Sequence, residues 1–311
     1  MNRTRKHVLQ INLIPIILLL TILGTSHTLY RIKTTVDEQI YGSPRGRIQQ
    51  KTPADVGLPY RDIQLETESK VLLEGWYIQN ENSDKGIILS PGRGTNRWTL
   101  LQAAPFLYEE GYNVLLFDPR TTGLSEGREY GFGYYQSKDI AQIANHLKKV
   151  EGVERIGVLG ISAGASAGLL ATLNTDIIGA VVADSPFANL KMVASSYEEF
   201  KNDWALQFLF PVYMEAANLT LGVDISVETD LLKQIPELDT PVFFIHSQDD
   251  QMIAAENSQL LYEKAPGPKE SWFPSGAAHG RVSEEYPDEY RARVVEFFDN
   301  HLGENARQTA Q

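Results

Sequence analysis

Apolar and polar positions divide the chain into unequal parts. From residue 8 to residue 30 there is no charged side chain apart from the titratable His27, and residues 13–23 are the most apolar stretch. At about 1.5 Å of rise per residue, a helix of that length just reaches across a hydrocarbon core of roughly 30 Å. Arg3, Arg5 and Lys6 precede it. Basic residues followed by an apolar run predict a membrane anchor over residues 1–30, with the remaining chain extracytoplasmic. A cleaved signal is the alternative, with Gly24-Thr25-Ser26 offering small residues at the boundary. Residues 31–57 show no sustained periodicity and are punctuated by Gly42-Ser43-Pro44 and Thr52-Pro53, so they read as a connector.

The pattern changes at residue 58. Two β-rich runs, 60–67 and 71–79, flank the polar turn Glu68-Ser69-Lys70 and predict an antiparallel hairpin. Short apolar runs follow at 86–90, 113–117, 155–159, 177–183 and 241–245. Uninterrupted apolar runs of that length suit strands buried on both faces. Helical patterns lie between them; in residues 137–150, Ile140, Ile143, Ala144 and Leu147 share one face. The alternation predicts an α/β domain over 58–303, its sheet mostly parallel with helices on both faces. Residues 187–236 break the pattern with Phe200, Trp204, Phe208, Phe210, Tyr213 and Met214, and read either as a small helical cap over an apolar pocket or as aromatic core under a loop-rich segment. Residues 304–311 form a polar tail.

Composition narrows the chemistry. The 311 residues carry a net charge of -12 and no cysteine. Disulfides, thiolate metal sites, a cysteine nucleophile and a lipoprotein anchor are excluded. No basic stripe is present to neutralise phosphates, so nucleic acid is not an expected partner.

One pentapeptide organises the rest. Gly160-Ile161-Ser162-Ala163-Gly164 follows an apolar strand and precedes Ala165-Ser166-Ala167-Gly168-Leu169, a small-residue helix. In that context G-x-S-x-G is a strand–turn–helix elbow that exposes its serine at the top of a sheet. A serine hydroxyl needs a base, and the base an orienting acid. His279, in a loop of small residues after the last short strand, is the base candidate. The acid candidates stand at strand ends: Asp249 and Asp250 after 241–245, and Asp184 after 177–183, the last read as a helix cap. An oxyanion hole requires two N–H donors; Ala163 follows the nucleophile and Arg93 lies in the loop after residues 86–90.

These residues resemble the α/β-hydrolase superfamily over about 58–302. The elbow, the chain order Ser162…Asp250…His279, the segment Asp118-Pro119-Arg120-Thr121-Thr122-Gly123-Leu124-Ser125 and the helix entry 133–139 are similar to bacterial membrane-anchored serine hydrolases. The resemblance selects Asp250, four residues after His246, over Asp249. The chain departs from the family pattern at Pro91, Thr121 and Ser247. The resemblance implies an α/β-hydrolase fold and a carboxylesterase-like serine hydrolase with catalytic Ser162, Asp250 and His279, acting on a small-molecule acyl substrate without a cofactor. Peptidase or acyltransferase chemistry with the same triad, and a non-catalytic binding protein on the same fold, are the alternatives.

Overall fold

The computed structural model describes residues 14–41, 51–196 and 198–303. Eight strands form one sheet: β1 Arg61–Glu66, β2 Leu72–Ile78, β3 Lys85–Ser90, β4 Asn113–Phe117, β5 Arg155–Ile161, β6 Ile178–Asp184, β7 Val242–Ile245 and β8 Lys269–Trp272. Their order is β1-β2-β4-β3-β5-β6-β7-β8. The β1–β2 hairpin pairs antiparallel, β2 joins β4 antiparallel, and every later pair is parallel.

Both faces of the central strands are buried, which is why these strands read as apolar runs. Ile88, Val158, Val181 and Phe244 face the helix Tyr134–Val150 and the elbow helix Ala163–Ala171. Their neighbours Ile87, Leu159, Val182 and Phe243 face the C-terminal helix Pro287–Leu302 through Val294, Phe297 and Phe298. The parallel register lines up the strand ends. Ser90 pairs with Gly160, Ile161 with Asp184, Asp184 with Ile245, and Ile245 with Trp272. Loops leaving this rim therefore meet in space although they lie far apart in the chain.

Residues 187–236 hold short helices and the long cap helix Trp204–Leu221. The N-terminal segment differs from its expected form. Residues 1–13 lie outside the described residues, and the N-terminal helix Ile14–Tyr41 runs on through eleven positions read as connector. Among the described residues no helix is long and apolar enough to cross a membrane, so a spanning anchor is not supported. The second half of the helix is patterned differently from the first. Arg31, Lys33, Asp37 and Glu38 alternate there with Ile32, Val36 and Ile40. The latter three recur every four residues, and they bury against Ala217, Leu221 and Ile225 of the cap.

Candidate active site

The elbow forms where β5 ends. Ser162 has φ 55° and ψ -123°, a positive-φ backbone that non-glycine residues adopt only when their surroundings enforce it. Its N–H donates to Asp184 O at 2.8 Å. A Cβ on Gly160 would meet Gly164 O at 2.5 Å, and one on Gly164 would meet Ser90 O at 2.1 Å. The first glycine thus clears the turn's own backbone, and the second clears β3.

The structure brings Ser162, His279 and Asp250 together. His279 Nε2 lies 2.8 Å from Ser162 Oγ, and its Nδ1 lies 2.6 Å from Asp250 Oδ2. An ionised Asp250 only accepts, so Nδ1 carries the proton and Nε2 presents its lone pair to the serine hydroxyl. Asp250 Oδ1 accepts the N–H groups of Met252 and Ile253 at 2.8 and 2.9 Å. Burial would raise the Asp250 pKa. Hydrogen bonds from His246, His279 and the Ile253 N–H outweigh burial and hold the carboxyl below the usual carboxylate range.

His246, which in the sequence only marks the spacing to Asp250, has a place in this arrangement that the sequence did not assign. It is fully buried, with Nε2 3.1 Å from Asp250 Oδ2 and 2.9 Å from Ile253 O. A carbonyl only accepts, so Nε2 carries the proton and the Asp250 carboxylate receives a second imidazole N–H. Its position four residues before Asp250, at the end of an apolar strand, was the available signal. The other acids go elsewhere. Asp249 Oδ2 accepts the Gly276 N–H at 2.6 Å and ties down the loop that carries His279. Asp184 is fully buried and accepts from Ser185 Oγ at 2.8 Å, rather than capping a helix.

The departures from the family pattern are accommodated locally. Thr121 takes φ 73°, with its N–H donating to Glu126 O at 3.1 Å. Ser247 Oγ accepts the Asp249 N–H at 3.2 Å. The loop after β3 passes directly over the elbow. A Cβ on Gly92 would stand 3.9 Å from Ser162 Oγ, which puts the next residue, Arg93, close to Ser162. Ala163 opens the elbow helix, where free N–H groups point outward. Both residues line the same cavity as Ser162 and His279.

That cavity has a volume of about 1490 Å³. The cap helix contributes Leu206, Phe210, Tyr213 and Met214, and the N-terminal helix contributes Val36, Gln39 and Ile40. Trp204 and Phe208, expected in an acyl pocket, point outward and are 77% and 74% exposed. The cap helix is apolar on both faces, so periodicity could not say which one turns inward.

Fold, elbow and rim together define an α/β-hydrolase. Residues 98–305 match the prolyl oligopeptidase family, and the chain belongs to that family. It is 30% identical to the Pyrococcus furiosus esterase Pf2001, with a TM-score of 0.70 over 84% of this chain and 100% of that one. It is 28% identical to the uncharacterized protein YqkD of Bacillus subtilis, over 73% of this chain and 75% of that protein. It is 25% identical to the uncharacterized membrane protein YNL320W of Saccharomyces cerevisiae, over 79% and 83% respectively. The protein is a hydrolase.

Proposed function

We propose that the protein is a serine carboxylic-ester hydrolase acting on small-molecule esters with an apolar acyl group. The observation that carries this reading is the unbroken relay Asp250–His279–Ser162, at 2.6 and 2.8 Å, opening into an apolar cavity. The similarity to an esterase supports the choice of ester.

Ser162 Oγ attacks the acyl carbonyl while His279 Nε2 takes the hydroxyl proton. Asp250 stays ionised and holds the imidazole tautomer. The tetrahedral oxygen develops negative charge against the N–H groups of Ala163 and Arg93. Collapse breaks the ester C–O bond, and the leaving alkoxide takes the proton from His279. Water then repeats both steps on the acyl-enzyme and frees the acid. Nothing in this sequence of steps uses a cofactor.

The test is hydrolysis of p-nitrophenyl esters and labelling by a fluorophosphonate, run on wild type and Ser162→Ala. We expect wild type to do both, and Ser162→Ala to lose labelling and at least about 10³-fold in rate while melting normally. An anilide of the same acyl group tests the peptidase alternative; anilide turnover matching that of the ester would favour it. Labelling retained in Ser162→Ala would overturn the assignment of the nucleophile.

A further inference from the structure

Arg93 does more in the structure than supply a backbone N–H. Its Nη1 donates to Gln39 Oε1 at 2.7 Å and its Nη2 to Gln39 O at 2.9 Å. The guanidinium lies over the ring of Tyr130 at 4.9 Å and over that of Phe132 at 5.7 Å. The Tyr130 N–H in turn donates to Ile40 O at 2.8 Å. Gln39 and Ile40 belong to the last turn of the N-terminal helix, which ends at Tyr41. Carbonyls in a last turn have no partner within the helix, and a cation there is favoured by the helix dipole. Arg93 and Tyr130 satisfy two of them from outside.

The loop around Arg93 needs an anchor. Gly92 and Gly94 flank it, and Gly94 sits at φ 69°. Glycines leave the backbone wide conformational freedom, so local propensity alone does not fix the peptide planes on either side of residue 93. The peptide that carries the Arg93 N–H is held at its carbonyl, where Gly92 O accepts from the Thr95 N–H at 3.2 Å and from its Oγ1 at 2.8 Å. The other constraint is the Arg93 side chain. The main-chain N–H, which the esterase reading assigns to the oxyanion, and the guanidinium bound to the helix share one Cα, so releasing the guanidinium loosens the position of that N–H.

We infer that the Arg93 side chain is a positioning residue for the oxyanion hole and that the end of the N-terminal helix is its fixed point. The helix is thereby a working part of the active site, since Gln39 and Ile40 also line the cavity. The inference rests on the serine-hydrolase reading above. A role confined to stapling the helix would affect stability and acyl-chain binding without selective loss of affinity for the transition state.

The experiment uses the full chain with Arg93→Met, Arg93→Lys and Gln39→Ala. Readouts are kcat and KM for p-nitrophenyl octanoate, the rate of phosphonylation by a fluorophosphonate, and affinity for a trifluoromethyl ketone, whose hemiketal oxygen occupies the oxyanion position. Complete loss of one oxyanion donor costs about 10²–10³ in rate. For Arg93→Met we expect a fall in kcat of roughly 10- to 100-fold, short of that complete loss. KM should stay within about threefold, and ketone affinity should fall by the same factor as kcat. Arg93→Lys, which keeps one donor for Gln39, should recover part of the loss, and Gln39→Ala should show a smaller loss of the same kind. If Arg93→Met does not fold, Gln39→Ala carries the test, since it removes only an exposed side chain. Unchanged kcat and ketone affinity, or a loss confined to KM, would overturn the inference and leave the esterase reading standing. A wild type that reacts with neither ester nor fluorophosphonate would instead overturn the esterase reading.

Discussion

Asp250 and Asp184 stand at the ends of neighbouring strands, and their surroundings push them in opposite directions. Asp250 receives imidazole and backbone N–H groups and stays ionised. Asp184 is sealed beneath the elbow; one oxygen accepts from Ser185, and the buried Tyr290 hydroxyl is the polar neighbour of the carboxyl. Burial pushes its pKa from 3.8 up to about 6, against smaller opposing effects of Ser185, His246, Tyr290 and His279. A raised carboxyl pKa means that the folded state holds the proton longer than the unfolded one. Stability from this group is therefore complete below about 3.8 and is lost as pH rises through about 6. A shift of this size corresponds to roughly 3 kcal/mol at neutral pH. Asp184→Asn removes the ionisation and should gain several degrees in melting temperature relative to wild type between pH 4 and pH 7.5. A wild-type-to-variant difference that stays constant over that range would contradict the assignment. None of this contrast was legible in the sequence, where Asp184, Asp249 and Asp250 are all strand-end acids and Asp184 reads as a helix cap. Only the resemblance to a family pattern separated the last two.

At the scale of elements, the parallel strands and the hairpin were legible because burial on both faces leaves an unbroken apolar run. The elbow was legible because its glycines are sterically required. The N-terminal helix was misread for a physical reason. Its apolar first half and the Gly42-Ser43-Pro44 punctuation dominate, and they mask Ile32, Val36 and Ile40 at helical spacing. The cap helix poses the opposite problem, since apolar residues on both faces hide its orientation. The structure resolves it by turning Leu206, Phe210, Tyr213 and Met214 inward. A buried methylene is worth about 0.8 kcal/mol, or roughly fourfold. In wild type, kcat/KM should climb by up to that factor per added methylene from acetate to octanoate esters. Met214→Trp narrows the cavity and should flatten the climb for the longer chains while leaving acetate turnover within about twofold. Equal slopes in the two proteins would place the acyl chain elsewhere.

Across the whole molecule, the relay joins residues 117 positions apart because the parallel sheet aligns its strand ends on one rim. The chain order serine, acid, histidine already implied that convergence; the contribution of the N-terminal helix was not implied. Its buried stripe belongs to a small cluster with Ala217, Leu221 and Ile225, separate from the two cores that cover the sheet. Beyond the cap, the hydrogen bonds from Arg93 and Tyr130 tie it to the hydrolase body. Two cores beside smaller clusters, one of them holding the helix, predict opening events of different free energy. Ile40 is fully buried in the satellite. Truncating a buried isoleucine to alanine costs about 2–5 kcal/mol, so Ile40→Ala should speed amide exchange in residues 32–41 by at least about 30-fold. Exchange in β5 and β6 should change by less than about threefold, because those strands draw their stability from cores that Ile40 does not touch. Helix opening would also carry Gln39 away from Arg93, so ester turnover should fall more steeply with temperature in this variant than in wild type, well below the main melting transition. Equal acceleration of exchange in the helix and the central strands would mean that helix, cap and sheet unfold as one cooperative unit.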